Sequence, residues 1–212
     1  DIAQVMSTWE DDPGFPVITV NRSGNKIILT QKVGSLHKFE DLKLYAIPVN
    51  YATSSDPNFN NKTTKLWLTT QSAEIEDFND DWIILNIQQS GFYLVNYDDN
   101  LTDAIIEQLI TNHTVIDDKS RVSFLYNLRE LIEKEEVSGH KILRLLTYLK
   151  YEKNPQILKH LSFIIFGLSS HLQDENFMSL KIYLKETLTN IYADENLKEG
   201  ILEMVLTDFE ID

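Results

Sequence analysis

The five histidines, His37, His113, His140, His160 and His171, are the only imidazoles available for metal binding or proton transfer, and they are scattered along the chain. The nearest pair, His160 and His171, lies at the two ends of one predicted helix, far from the one-turn spacing at which two histidines grip zinc. There is no HExxH, no cysteine to act as thiolate, and no G-x-S-x-G, P-loop or G-x-G-x-x-G. Carboxylates are plentiful, in the clusters Glu10-Asp11-Asp12, Asp80-Asp81, Asp98-Asp99 and Glu135-Glu136. Paired acids can do general acid and base work or hold Ca²⁺, but these stand at the ends of predicted elements, where turns and helix starts draw acids. The aromatic group Trp82, Phe92, Tyr93 and Tyr97 has the make-up of a stacking platform. Strand alternation puts Phe92 and Leu94 on one face and Tyr93, Val95 and Tyr97 on the other, which points to core packing on both faces. The sequence therefore assigns no catalytic residue and no metal ligand, and leaves any substrate-binding residue unknown.

A modification chemistry is written more clearly. Asn21-Arg22-Ser23, Asn61-Lys62-Thr63, Asn100-Leu101-Thr102 and Asn112-His113-Thr114 all fit the N-glycosylation pattern. That is more than the Asn, Ser and Thr content gives by chance, and it favours the secretory route, outside the cell or on its surface.

The net charge of −14 is shared evenly between residues 1–100 and 101–212, so no basic face exists for nucleic acid or an anionic lipid surface. A chain of 212 residues with 42% hydrophobic content suits one large domain or two small ones. The longest apolar run, Leu161–Leu168, is far short of the ~20 residues of a membrane helix, so no membrane contact is expected from this segment. No signal peptide opens the chain, which starts at Asp1. The expectation is an excerpt or processed piece whose anchor lies outside it.

Residues 1–16 read as the end of a helix, with Ile2, Val5, Met6 and Trp9 on one face before acids and two prolines. Val17–Val20, Lys26–Val33, Leu42–Val49 and Lys62–Thr70 are β-prone, separated by Gly24-Asn25, Gly34-Ser35 and the polar run Thr53–Asn61. Ile83–Ile87 and Phe92–Val95 then meet across Gln88-Gln89-Ser90-Gly91, the pattern of a β-hairpin in which Gly91 takes positive φ. Together these predict a small β-sandwich. From Leu101 the apolar period becomes helical, with Asp117, Ser138, Asn154, Asp174 and Asp194 as caps and Pro155 at a first helical position. Six short helices follow, an antiparallel stack of α-solenoid type. The fold class is thus α+β: a sandwich, then helices.

Ser7-Thr8-Trp9 followed by Asp12-Pro13-Gly14-Phe15-Pro16-Val17-Ile18-Thr19-Val20 resembles the junction after the catalytic domain in aminopeptidase N and its relatives, zinc metallo-aminopeptidases. The resemblance continues through Leu29-Thr30-Gln31, Tyr45-Ala46-Ile47-Pro48-Val49, Trp67-Leu68, the Trp82–Asp98 stretch, Arg121, and Leu146-Thr147-Tyr148-Leu149 with Glu152. It implies that residues 1–15 end a helix of the preceding catalytic domain, 16–99 form the sandwich, and 100–212 begin a helical domain that covers the active site. The zinc-binding HExxH, the GxMEN element and the catalytic tyrosine of that family belong upstream of Asp1, so this chain binds no cofactor and the parent's zinc sits in another domain. Partners implied are that upstream domain and, through the parent, peptide substrates. Many relatives carry Arg where this chain has Leu94, and Trp where it has Tyr45. Leu94 is either a lost polar contact toward the active site or a packing residue. The alternative functional reading is a peptidase-like receptor or protein-binding module without activity; an unrelated adaptor fits the fold but leaves the ordered matches unexplained.

Overall fold

The run Lys26-Ile27-Ile28-Leu29-Thr30-Gln31 alternates strictly in burial, with Ile27, Leu29 and Gln31 inside, as a strand with one covered face must. The computed structural model describes residues 6–9, 14–34, 44–132, 144–169 and 178–186, and the chain divides into two compact units, Asp1–Ile105 and Ile106–Asp212.

In the first unit, β1 (Phe15–Ser23) and β2 (Lys26–Gly34) pair antiparallel in register Ser23↔Lys26, joined through Gly24, whose φ of 60° is open to glycine at no steric cost. β6 (Ser72–Ile75) adds to β2, and β8 (Leu94–Tyr97) runs parallel to β1, completing the order β6-β2-β1-β8. Two small antiparallel sheets accompany it: β3 (Ile47–Val49) with β5 (Leu66–Leu68), and β4 (Tyr51–Thr53) with β7 (Ile83–Leu85). The core is apolar and dense, with Ile18, Val20, Leu29, Ile47, Leu68, Trp82 and Ile83 almost fully enclosed. Gln31 is one of its polar exceptions: its Nε2 donates to the Tyr45 and Thr70 carbonyls at 3.1 and 2.8 Å, and its Oε1 accepts from Tyr45 N–H at 2.9 Å. The helical turn at 6–9 lies on this unit, Trp9 Nε1 donating to the Ala46 carbonyl and its ring 4.9 Å from that of Tyr45.

The expected hairpin does not form. β7 pairs with β4 and β8 with β1, so the stretch between them is a crossover from one sheet to another. Asn86 ends β7 at φ 58°, and Gln88 and Gln89 follow at φ 54° and 53°, a left-handed run that turns the chain away from its own return path. The buried Asn86 side chain closes the turn: its Oδ1 accepts from Gly91 N–H at 2.8 Å, and its Nδ2 donates to the Gly91 and Tyr93 carbonyls, both at 3.0 Å. Asn50 supports it from β4's entry, its Oδ1 accepting from Ile87 N–H at 2.8 Å and its Nδ2 donating to Ser90 Oγ at 2.8 Å. Gly91 is not at positive φ; it is needed for space, because a Cβ there would stand 2.5 Å from the buried Tyr93 ring.

Strands give way to helices at Asp98, whose Oδ1 accepts from Leu101 N–H at 2.8 Å and caps α1 (Asp99–Asn112). The expected caps Asp117 and Asn154 are in place. Asp117 Oδ1 accepts from Lys119 and Ser120 N–H ahead of α2 (Asp118–Ile132), and Asn154 Oδ1 from Gln156 N–H ahead of α3 (Pro155–Ser169). Ser138, Asp174 and Asp194, with the last expected helix, lie outside the described residues. Asp118 meets Asn154, Tyr126 meets His160 and Arg129 meets Phe163, an ascending order that makes α2 and α3 parallel. They are alternate members of a stack, as a solenoid produces. Leu145, Leu146 and Leu149 are buried in the segment between, and Leu180 and Leu184 in the helical stretch 178–186.

The fold is α+β, a small sheet unit followed by helices. Since the Asn86 amide faces two carbonyls and one N–H, Asn86→Asp replaces a donor with a buried anionic acceptor. We expect a loss of about 3 kcal/mol in urea unfolding, against little change for an exposed neighbour such as Gln89→Glu.

Candidate functional site

In the helical unit the chemistry converges on Arg121, near the start of α2. Its Nε donates to Glu152 Oε2 at 3.1 Å, one Nη reaches the His113 and Ile116 carbonyls, and the other donates to Asp118 Oδ1 at 2.8 Å. Glu152 is buried and saturated: Oε2 also accepts from the Tyr148 hydroxyl, and Oε1 accepts from the Lys153 and Asn154 N–H groups at 2.8 Å each. Asn154 returns to Asp118 Oδ2 at 2.8 Å, and the His113 ring lies 5.8 Å from that of Tyr148. Burial first, and the Glu152 carboxylate second, push the Tyr148 phenol far above its ordinary range, so it stays a proton donor to the carboxylate. With the Glu152 carboxylate fully engaged and Arg121 held by four bonds, this cluster positions three segments; only the Asp118 carboxylate at its rim is exposed.

The other residues singled out by type are also placed. His113 and His160 are half-buried on separate surroundings, and His37, His140 and His171 lie outside the described residues. Among the described residues no three of His, Asp or Glu are gathered to hold a metal, so zinc has no fitting site among them. Asp80 Oδ1 accepts from Ser55 N–H at 2.6 Å and Ser54 Oγ at 3.0 Å, and Asp98 Oδ2 from Arg22 N–H at 2.6 Å, so these acids hold turns. Glu10, Asp11, Asp12, Glu135 and Glu136 lie outside the described residues.

Of the aromatic group, Trp82, Tyr93 and Tyr97 are core, Trp82 stacked on Phe59 at 6.3 Å and the Tyr97 hydroxyl accepting from Leu85 N–H at 2.9 Å. Phe92 is not: it is 72% exposed. The strand begins only at Leu94, so alternation does not extend back to Phe92, which leans on Trp9 and Phe15 at 6.3 and 6.5 Å. Leu94, opposite Val17 in the parallel ladder, is buried within the sheet unit and fills it as an aliphatic group. Sequence reasoning passed over the buried amides Gln31, Asn50 and Asn86. The signal was present: Gln31 occupies an apolar phase of β2, and Asn86 directly follows three enclosed residues.

The family described as ERAP1-like C-terminal domain matches residues 82–204. The chain belongs to that family. Endoplasmic reticulum aminopeptidase 2 of Bos taurus is 28% identical over 174 residues, 77% of this chain and 18% of the relative. Aminopeptidase N of Rattus norvegicus is 29% identical over 211 residues, 93% of this chain and 21% of the relative. Endoplasmic reticulum aminopeptidase 1 of Mus musculus is 30% identical over 155 residues, 72% and 16% respectively. The chain thus spans about a fifth of the length of the relatives it matches. Within this ERAP1-like C-terminal domain the family match takes in the crossover, α1, α2 and α3, and the Arg121–Glu152 cluster.

Glu152 and His160 of the helical unit each set an expected outcome, with an exposed ion pair of the sheet unit as a control. Removing one partner of a buried, hydrogen-bonded ion pair is costly, so Glu152→Ala is expected to lower stability by about 3–5 kcal/mol in urea unfolding. Lys26→Met, at the exposed pairs with Glu74 and Glu76, should leave the midpoint unchanged. His160 Nδ1 is buried without a hydrogen-bond partner, and burial, with the charges of Arg129 and Lys159, holds the imidazole below its ordinary value. A depressed imidazole favours the neutral form in the folded state. Stability should therefore be flat above about pH 6.5 and fall as pH drops below it, a slope that His160→Gln reduces in unfolding curves taken across that range.

Proposed function

We propose that this chain is the noncatalytic C-terminal part of a zinc aminopeptidase that removes N-terminal residues from peptides, its helical region covering the active site and limiting substrate access. The observation that carries the reading is the family match combined with relatives that are aminopeptidases about five times longer than their aligned part. On this reading residues 1–15 end a catalytic-domain helix, 16–99 are the sandwich and 100–212 begin the helical domain. The buried Arg121–Glu152–Tyr148 cluster supports a scaffolding rather than a reacting part, since each carboxylate oxygen of Glu152 is engaged twice internally.

The zinc belongs to the upstream catalytic domain, and that domain is the partner of this chain. Trp9 and Phe15, half-buried, and the exposed Phe92 form an aromatic cluster; Met6, three residues before Trp9, and Leu44, next to the Tyr45 that Trp9 packs on, are also exposed. Such a surface suits a neighbouring domain better than water. The protein follows the secretory route, outside the cell or on its surface, a reading that the four N-glycosylation patterns support. Among the described residues no helix is long and apolar enough to cross a membrane.

The purified chain should neither hydrolyse aminoacyl-nitroanilides nor retain stoichiometric zinc, while the full-length protein does both. A metal-dependent rate from the chain alone that survives repurification overturns the assignment. A full-length protein that folds but lacks both zinc and activity favours the receptor reading instead.

A further inference from the structure

The four glycosylation patterns differ sharply in local geometry. Attachment of an N-linked oligosaccharide needs the asparagine amide and the hydroxyl two residues on to be brought together, with the amide nitrogen facing outward. Asn21 and Ser23 lie in β1, where side chains two residues apart stand about 7 Å from each other along the strand. Asn100 and Thr102 lie in the first turn of α1, where positions two apart do not face each other. Asn100 is exposed, whereas Thr102 is buried and its hydroxyl donates to the Tyr97 carbonyl at 3.3 Å.

Asn61 and Asn112 are arranged otherwise. Both are exposed, and each folds its own pattern into an Asx turn: Asn61 Oδ1 accepts from Thr63 N–H at 3.1 Å, and Asn112 Oδ1 from Thr114 N–H at 3.2 Å. In the second, the Thr114 hydroxyl also donates to Asn112 Oδ1 at 2.6 Å. These bonds fix Oδ1 inward, so Nδ2 faces away from the turn. The turns also sit on exposed segments. Asn61 lies within the loop between β4 and β5, two residues after the buried Phe59, and Asn112 marks the break between α1 and the short 3-10 turn His113–Val115. Because the bonds span only two residues, they form in a newly made chain before tertiary packing does.

We propose that Asn61 and Asn112 are the N-glycan attachment sites of this protein, and that Asn21 and Asn100 are poor acceptors. The inference rests on the secretory-route reading. In the step, Nδ2 bonds to the anomeric carbon of an oligosaccharide carried on a lipid pyrophosphate. The carbon–oxygen bond to that pyrophosphate breaks, the pyrophosphate leaves with the electron pair, and the amide gives up one proton.

The test is site occupancy in the full-length protein made in a eukaryotic host, once with its own leader and once behind a heterologous signal peptide. Peptides are mapped by mass spectrometry before and after amidase removal of glycans. With the heterologous signal, occupancy at both Asn61 and Asn112 should exceed that at Asn21 and Asn100 several-fold. Asn61→Gln and Asn112→Gln should each abolish one mobility increment, as should Thr63→Ala and Thr114→Ala. Any other ranking of the four sites in that arm overturns the proposal. Bare protein with its own leader, alongside correctly ranked sites behind the heterologous signal, overturns the secretory reading and leaves the site assignment standing.

Discussion

Between β7 and β8 the chain leaves one sheet and enters another, passing from buried Asn86 and Ile87 to the surface and back in at Tyr93, and the peptide groups released at its buried ends need partners. Two buried amides meet that demand. Asn86 takes a left-handed backbone and spends its side chain on Gly91 and Tyr93, while Asn50 holds Ile87 and Ser90 from the neighbouring segment. A primary amide is suited to this because it offers donors and an acceptor without a charge to desolvate. The consequences spread outward. Gly91 is left no room for a side chain, Tyr93 is pressed into the interior, and β8 is delivered to β1 rather than to β7.

The helical unit solves a related problem with charge. Arg121 and Glu152 are both enclosed, and an isolated charge there would be expensive. Each is instead surrounded by partners drawn from the end of α1, the start of α2 and the approach to α3. That set of bonds fixes where α3 begins relative to α2 and so keeps alternate helices in register. The same completeness makes the cluster chemically quiet. A reactive site needs a group held back from full satisfaction, and the Glu152 carboxylate at the centre of this one is fully engaged.

Membership in the ERAP1-like C-terminal domain family gives this quietness a place. A fold does not carry a function by itself; the chemistry belongs to sites, and here Asp80 holds a turn, Asp98 caps a helix, and the two described histidines, His113 and His160, lie on separate elements. What the surface offers is an aromatic cluster around Phe92 and a set of asparagines that differ in how they present their amides.

The sequence by itself determined the change from strands to helices, the caps at Asp117 and Asn154, the apolar phases of β2 and α3, and the family, because these depend on short-range periodicity and ordered local motifs. It also singled out Arg121, Tyr148 and Glu152 without saying that they touch. Only the tertiary structure decided that β7 and β8 have different partners, that Phe92 is exposed while Leu94 is buried, and that Gly91 is required for space and not for its φ. Two apolar runs across a polar turn look the same whether they pair with each other or with distant strands. The choice is made by strand pairings with β4 and β1 and by the Asn50 amide, whose partners Ile87 and Ser90 lie tens of residues away, and no local pattern records that distance.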